Sequence, residues 1–210
     1  MPMSVNAMPK PACNVRNTYY VMRHGQSIAN VQGIVLSWPE HGVRPGYGLT
    51  AHGRQQVEQA AQVSGLPAST LVYSSDFARA YQTAMMTQHI IGAEAVTVAP
   101  ELRERYFGEL EFAEAKTAYQ GVWRADTSGQ AYGHGVEPLS QVAARVMRLI
   151  QSIEQHYTGK TVLLVSHGDT LQALQVAWQG HDPARDYYTV PPLANAQIVK
   201  LPSVCQAPLP

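Results

Sequence analysis

The chain has 210 residues with 15 Lys+Arg against 15 Asp+Glu, so it carries no net charge, and only 14% of its residues are charged. That length fits one domain with a sizeable core, and the 45% apolar share is that of an ordinary globule. The balance excludes nucleic acid as a bulk partner, no apolar run reaches membrane-spanning length, and two cysteines do not make a disulfide framework.

Residues 1–17 are rich in Pro and Met and contain no apolar h-region, so they read as a flexible tail and not as a signal peptide. Cys13 and Cys205 both fall in terminal tails, and two free thiols suit a reducing, cytoplasmic setting. Tyr19-Tyr20-Val21-Met22 is the first predicted strand, a short apolar run bounded by polar residues. It runs out in Arg23-His24-Gly25. Arg23 offers a planar fork of donors suited to a phosphate. His24 offers a nitrogen base that is largely neutral at pH 7. Gly25 lets the backbone approach an anion closely.

Residues 31–48, with Trp38, Pro39, Pro45 and several glycines, read as a long loop. Thr50 is placed to cap a helix reaching about Ser64, which Gly65 and Pro67 stop. Thr70–Tyr73 is a second strand. Ser74-Ser75-Asp76 then offers N-cap side chains for a helix over 77–91, and Val96–Val98 is a third strand. Residues 101–137 show no long period and form an insertion with some helix around Ala113–Tyr119. Leu139, Val142, Ala143, Val146, Met147, Ile150 and Ile153 recur at helical spacing and predict an amphipathic helix. Thr161–Val165 is the most buried-looking strand; Ser166-His167-Gly168-Asp169 and a helix to about Trp178 follow. Ile198–Leu201 is the last strand, and residues 203–210 form a second tail. The alternation predicts an α/β fold over residues 18–202. It is a three-layer α/β/α sandwich with a mostly parallel sheet, helices on both faces and the 101–137 insertion over the C-terminal strand ends.

Parallel strands bring Arg23-His24-Gly25, Ser74–Arg79 and Ser166-His167-Gly168 to one sheet edge, where open α/β sheets bind ligands. Arg79 falls in the first turn of its helix, where the macrodipole disfavours a cation unless an anion is bound there. The bland alternative is a surface pair with Asp76. His167 alone would be an ordinary core histidine, but beside Arg23 and His24 it points to a phosphate pocket.

Arg23-His24-Gly25-Gln26-Ser27-x-x-Asn30 resembles the RHG signature of the histidine phosphatase superfamily, the phosphoglycerate-mutase-like proteins. Leu49-Thr50-x-x-Gly53-x-x-Gln56, Ser74-Ser75-Asp76-x-x-Arg79-Ala80-x-Gln82-Thr83-Ala84, Glu101–Gly108 and Val165–Gly168 are similar to that family's further segments, in the same order. The resemblance implies a phosphomonoester hydrolase. In it His24 is the nucleophile that becomes phosphohistidine. Arg23, Arg79, His167 and Gly168 would hold the phosphate, with Asn30 adding a neutral hydrogen bond. Glu104 would serve as general acid and base. Asp169 is the rival acid, since another branch of the family places its acid after the second histidine. After Phe107-Gly108 the chain departs from the family's Trp-Glu-Gly with Glu109-Leu110-Glu111-Phe112.

Aromatic and basic residues of the two loop regions are candidates for the specificity side: Trp38, Arg44, Tyr106, Trp123 and Arg124, with His41, Tyr47, Tyr119, Tyr132 and His134 near them. No cofactor is implied and no metal, because H-x-x-x-H and H-E-x-x-H spacings are lacking and two pocket arginines would repel a cation. The expected partner is a small phosphomonoester, or alternatively a phosphoprotein. The other readings are a cofactor-dependent phosphoglycerate mutase and a non-catalytic phospholigand-binding module.

Overall fold

A computed structural model describes residues 15–203. Its core is a five-stranded sheet of β1 (Thr18–Arg23), β2 (Leu71–Ser74), β3 (Val96–Val98), β4 (Thr161–Ser166) and β5 (Ile198–Lys200), in the order β3-β2-β4-β1-β5. The first four run parallel and β5 lies antiparallel to β1. β4 is central. Val162 and Leu164 point to one face and Leu163 and Val165 to the other, all four fully buried, which is why this strand is apolar without alternation.

Between the strands run α1 (Ile28–Gln32), α2 (Pro39–Gly42), α3 (Ala51–Gln62), α4 (Ala78–Ile91), α5 (Ala115–Thr127), α6 (Leu139–His156), α7 (Gly168–Trp178) and α8 (Pro183–Asp186). Val146, Met147, Ile150 and Ile153 of α6, with Leu171, Leu174 and Trp178 of α7, cover Tyr19, Val21, Val162 and Leu164. On the other face Val57 of α3 and Ala80 and Ala84 of α4 cover Met22, Val72, Leu163 and Val165. These are the three layers that the strand and helix periods predict. The insertion keeps a small core of its own, in which Ala118 and Val122 of α5 meet Phe107 and Val35.

The local differences from the sequence reading have physical causes. The expected 31–48 loop holds α2 and a 3-10 turn at Pro45–Tyr47, each begun by a proline whose missing N–H costs nothing at a helix start. α5 extends past Tyr119 to Thr127 because it packs on the insertion core and not on the sheet, so its apolar stripe is narrow. None of Ser74, Ser75 and Asp76 caps α4. Phe77 takes the N-cap position, and Asp76 accepts a two-pronged bond from Arg103 at 2.8 and 2.6 Å. The tail expected over 1–17 is anchored at its last residues: Asn17 is buried and donates to Glu154 at 2.7 Å and to the Tyr157 carbonyl at 2.9 Å. Cys13 and Cys205 lie outside the described residues, and so does most of the C-terminal tail. Among the described residues no helix is long and apolar enough to cross a membrane.

Candidate active site

β1, β2 and β4 end side by side, and each delivers one part of a pocket. Arg23 closes β1, and the His24 N–H donates to the Ser166 carbonyl of β4 at 3.0 Å. Asn195 and Ala196 donate to the His24 carbonyl at 3.0 and 3.2 Å, so the backbone of this residue is gripped from both sides. The imidazole is 2% exposed. Its Nδ1 stands 2.7 Å from the Gly25 carbonyl, which can only accept, so Nδ1 carries the proton and Nε2 keeps its lone pair. Arg79 confirms that tautomer by donating Nε–H to Nε2 at 3.2 Å. Burial, and then the charges of Arg79 and Arg23, hold His24 well below the ordinary histidine range. A neutral ring whose Nε2 lone pair is engaged only by a hydrogen bond from Arg79 can act as a nucleophile once that bond is released.

Arg79 sits in the first turn of α4, 4% exposed. The surface pair with Asp76 does not form, since Asp76 is taken by Arg103. Its Nη2 donates to the Leu36 carbonyl at 3.0 Å. His167, the residue before α7, is fully buried, with its ring centroid 5.1 Å from that of His24. Its Nε2 meets the Ser75 hydroxyl at 2.9 Å. Burial and then Arg79 push its pKa down as well. Arg23 donates from Nη1 to the Leu193 carbonyl at 2.7 Å.

Three buried side-chain nitrogens in the described structure have no partner: Arg23 Nε, Arg79 Nη1 and His167 Nδ1. All belong to the residues that surround His24. Buried donors are normally satisfied, and leaving one unmet costs about 1–3 kcal/mol. Unmet donors on three residues around one imidazole suit a multi-oxygen anion.

Glu104 is held by main-chain donors. Its Oε1 accepts from the N–H of Arg105 at 2.9 Å and of Thr170 at 3.3 Å. Burial, and next the Asp169 carboxylate, raise its pKa above the usual carboxylate range. Asp169 is committed elsewhere. Its Oδ1 accepts from the Tyr187 hydroxyl at 2.8 Å, its Oδ2 from the Trp123 indole N–H at 3.3 Å, and Arg105 stands 3.6 Å away. Gly168 opens α7 beside the Arg23 guanidinium, whose Cζ would lie 3.6 Å from a Cβ added there. Asn30 is exposed, and its carboxamide oxygen accepts the Ser27 N–H at 3.0 Å in a capping box on α1.

Of the aromatic and basic residues expected on the specificity side, the structure brings Trp123 and Tyr119 to the pocket. A cleft of about 400 Å³ opens from the phosphate side, lined by Arg23, Glu104 and Asp169 and by Tyr119, Trp123 and Tyr187. Trp38 instead donates to the Gly108 carbonyl at 2.7 Å and stacks on His41 and Tyr106, a cluster that fastens the 36–41 segment. Arg44 is exposed on the Glu40 carbonyl, and Arg124 is exposed on α5. Glu111, in the stretch where the sequence departs from the family pattern, accepts from Ser37 and Trp38 N–H at 2.7 and 3.1 Å and so carries the strap bearing the Leu36 carbonyl.

Sequence reasoning passed over several supports. Thr83 accepts the Gly25 N–H at 3.1 Å, and Ser75 carries His167; both lie in the segment that resembles the family, so the signal was present. Arg145 donates to the carbonyls of Glu101 and, at 3.2 Å, Glu104, fixing the Glu104 backbone from α6. Nothing in the polar face of that helix marks Arg145 in the sequence.

Residues 19–203 match the histidine phosphatase superfamily (branch 1). The chain belongs to that superfamily. It is 30% identical over 161 residues to a metal-independent phosphoserine phosphatase of Arabidopsis thaliana, covering 73% of this chain and 65% of that protein. It is 30% identical over 181 residues to a 2,3-bisphosphoglycerate-dependent phosphoglycerate mutase of Brucella anthropi, covering 79% and 83%. Among solved structures, a mycobacterial glucosyl-3-phosphoglycerate phosphatase in complex with VO3 superposes with a TM-score of 0.72 at 28% identity, over 87% of this chain and 91% of that one. In this histidine phosphatase superfamily member the pocket residues at the ends of β1, β2 and β4 are those that the sequence resemblance singles out.

Proposed function

We propose that the protein is a metal-independent phosphomonoester hydrolase working through a phosphohistidine on His24. The observation that carries this reading is that three buried nitrogens without a partner belong to Arg23, Arg79 and His167, the residues around an imidazole whose Nδ1 faces the Gly25 carbonyl. Arg23, Arg79 and His167 take the phosphate oxygens, and Arg79 exchanges its bond to His24 for one to the phosphate. Nε2 then attacks phosphorus in line as the ester oxygen leaves, and Glu104 gives that oxygen its proton. In the second half Glu104, now ionised, takes a proton from water, which attacks phosphorus. The N–P bond breaks, inorganic phosphate leaves, and His24 and Glu104 return to their starting states. The arginines supply the charge that a metal would supply elsewhere. A cytoplasmic setting fits the two cysteines.

A mutase would have to hold a second phosphate and a carboxylate. Arg23 is the one cation lining the cleft among the described residues, and Lys116 and Arg124 are exposed on α5 outside it. The test is a rapid quench with a labelled phosphate donor in excess chelator. The expected result is an acid-labile, base-stable label on the wild type that His24→Ala loses together with nearly all turnover. Turnover without label refutes the covalent route. With 3-phosphoglycerate and a trace of 2,3-bisphosphoglycerate, isomerisation should not outpace phosphate release; fast isomerisation would promote the mutase.

A further inference from the structure

The cleft beyond the phosphate clamp says what kind of alcohol the phosphate is attached to. Tyr119 and Trp123, stacked at 15° with centroids 5.3 Å apart, form one continuous aromatic wall. Tyr187 and Tyr188, edge to face at 5.2 Å, form another, and Pro192 completes the lining beside them. The polar ends of two of these rings are already spent, since the Trp123 N–H and the Tyr187 hydroxyl both donate to Asp169. What they leave to the cleft is carbon. Burial, and then the nearby Glu104 carboxylate, push the Tyr119 phenol up, so it too stays uncharged.

The charges facing this space are unevenly distributed. Among the described residues Arg23 is its one cation, and that residue serves the phosphate. Glu104 and Asp169 are its carboxylates. Arg105 lies behind Asp169 but is 2% exposed and bound by both terminal nitrogens to Asp126, at 2.6 and 2.9 Å. An alcohol bearing a carboxylate, as in phosphoserine or the phosphoglycerates, would therefore bring a negative charge close to the Asp169 carboxylate, with Arg105 already engaged and no spare cation lining the cleft among the described residues. Desolvating an unpaired charge opposes binding more strongly than any missing contact.

We propose that the substrates are phosphate esters of neutral, ring-bearing alcohols, whose ring lies against the Tyr119–Trp123 wall, and that the cleft excludes carboxylated esters. This rests on the hydrolase reading above, and Asp169 is in this view a positioning residue that sets the two walls.

The test compares benzyl, 4-carboxybenzyl and methyl phosphate with the whole protein. The two benzyl alcohols are of similar acidity, so a difference in rate reports the cleft and not the leaving group. The wild type should prefer benzyl over 4-carboxybenzyl phosphate by about tenfold or more in kcat/KM, and should prefer benzyl over methyl by a similar factor. Trp123→Ala should lower the benzyl-to-methyl ratio by about three- to tenfold, through KM. Tyr188 is 53% exposed, so a longer side chain fits at the rim, and Tyr188→Arg should raise 4-carboxybenzyl turnover relative to benzyl. Equal or faster turnover of the carboxylated ester by the wild type overturns the inference. If no ester is hydrolysed, the hydrolase reading fails, and calorimetry of the same phosphates on His24→Gln decides this one separately. Tighter binding of benzyl phosphate upholds the neutral-ring cleft, and equal binding of the two benzyl esters overturns it.

Discussion

At the scale of single residues, the decision between two neighbouring carboxylates turns on what each already does. Both oxygens of Asp169 are occupied by donors from Trp123 and Tyr187, and Arg105 faces it. Glu104 accepts mainly from backbone N–H groups, and burial with the adjacent Asp169 charge favours its protonated form. A proton held above the usual carboxylate range suits a general acid. Glu104→Gln should lower turnover of alkyl phosphates by about 10²–10⁴-fold and of aryl phosphates, which leave unaided, far less. Asp169→Asn should cost less. It should also move the alkaline limb of kcat to lower pH, because the like charge that keeps the proton on Glu104 is gone. The acid limb should follow His24 and lie below the ordinary histidine range, since burial and the Arg79 and Arg23 charges hold its pKa down. A larger loss at Asp169 with an unmoved alkaline limb would transfer the acid role to it.

At the scale of elements, the segment after His24 is held by α3 at a distance that only glycine permits. A Cβ on Gly53 would overlap the Gln26 carbonyl, and one on Gly25 would stand 2.5 Å from the Gly53 carbonyl. Gln56 accepts the Gln26 N–H at 2.9 Å, and Thr50, the cap of α3, donates to the Gln26 side chain at 2.9 Å. Gly53→Ala must push α3 away, and the expected cost is about 1–3 kcal/mol of stability. It should also bring a loss in kcat larger than the change in KM, as His24 shifts with its neighbours. Unchanged melting and unchanged kcat would show that the approach has slack. Leu49-Thr50-x-x-Gly53-x-x-Gln56 was recognisable in the sequence, but its purpose was not, because a close backbone approach leaves no mark in composition. The strands, α3, α4, α6 and α7 were legible because each buries a periodic face against the sheet. α5 was half legible because it packs on Phe107 and Val35, far apart in the chain. Of the pocket, Arg23, His24, Arg79, Glu104 and His167 were legible at strand ends and in ordered motifs. Tyr187 and Arg145 were not, since a tyrosine and an arginine in otherwise ordinary segments carry no local pattern.

At the scale of the whole molecule, a pocket built of buried neutral histidines couples folding to pH. His24 and His167 both have folded-state pKa values depressed below the unfolded value near 6.5. Below pH 6.5 the unfolded chain takes up protons that the folded chain refuses, so stability falls as pH falls, by up to ~1.4 kcal/mol per pH unit for each ring. Glu104 works in the opposite direction, since its raised pKa lets the folded state bind a proton the unfolded state has released. Replacing one ring isolates its share. Between pH 6.5 and 5 the melting temperature of His24→Gln should fall less steeply than that of the wild type. Parallel slopes would mean that His24 titrates normally in the folded protein.

The adjacency of β1 and β4 has a consequence for synthesis. β1, which leads into His24, is made long before β4, its main partner, which leads into His167. While a ribosome works through the intervening helices, Val21 and Met22 have no parallel neighbour to pair with, and the long loop between the strands must close before the central ladder can form. Nascent chains shorter than His167 therefore hold half a pocket and an unpatched hydrophobic edge, the condition in which holdase chaperones bind. His24 and His167 come to one sheet edge only when β4 has paired with β1.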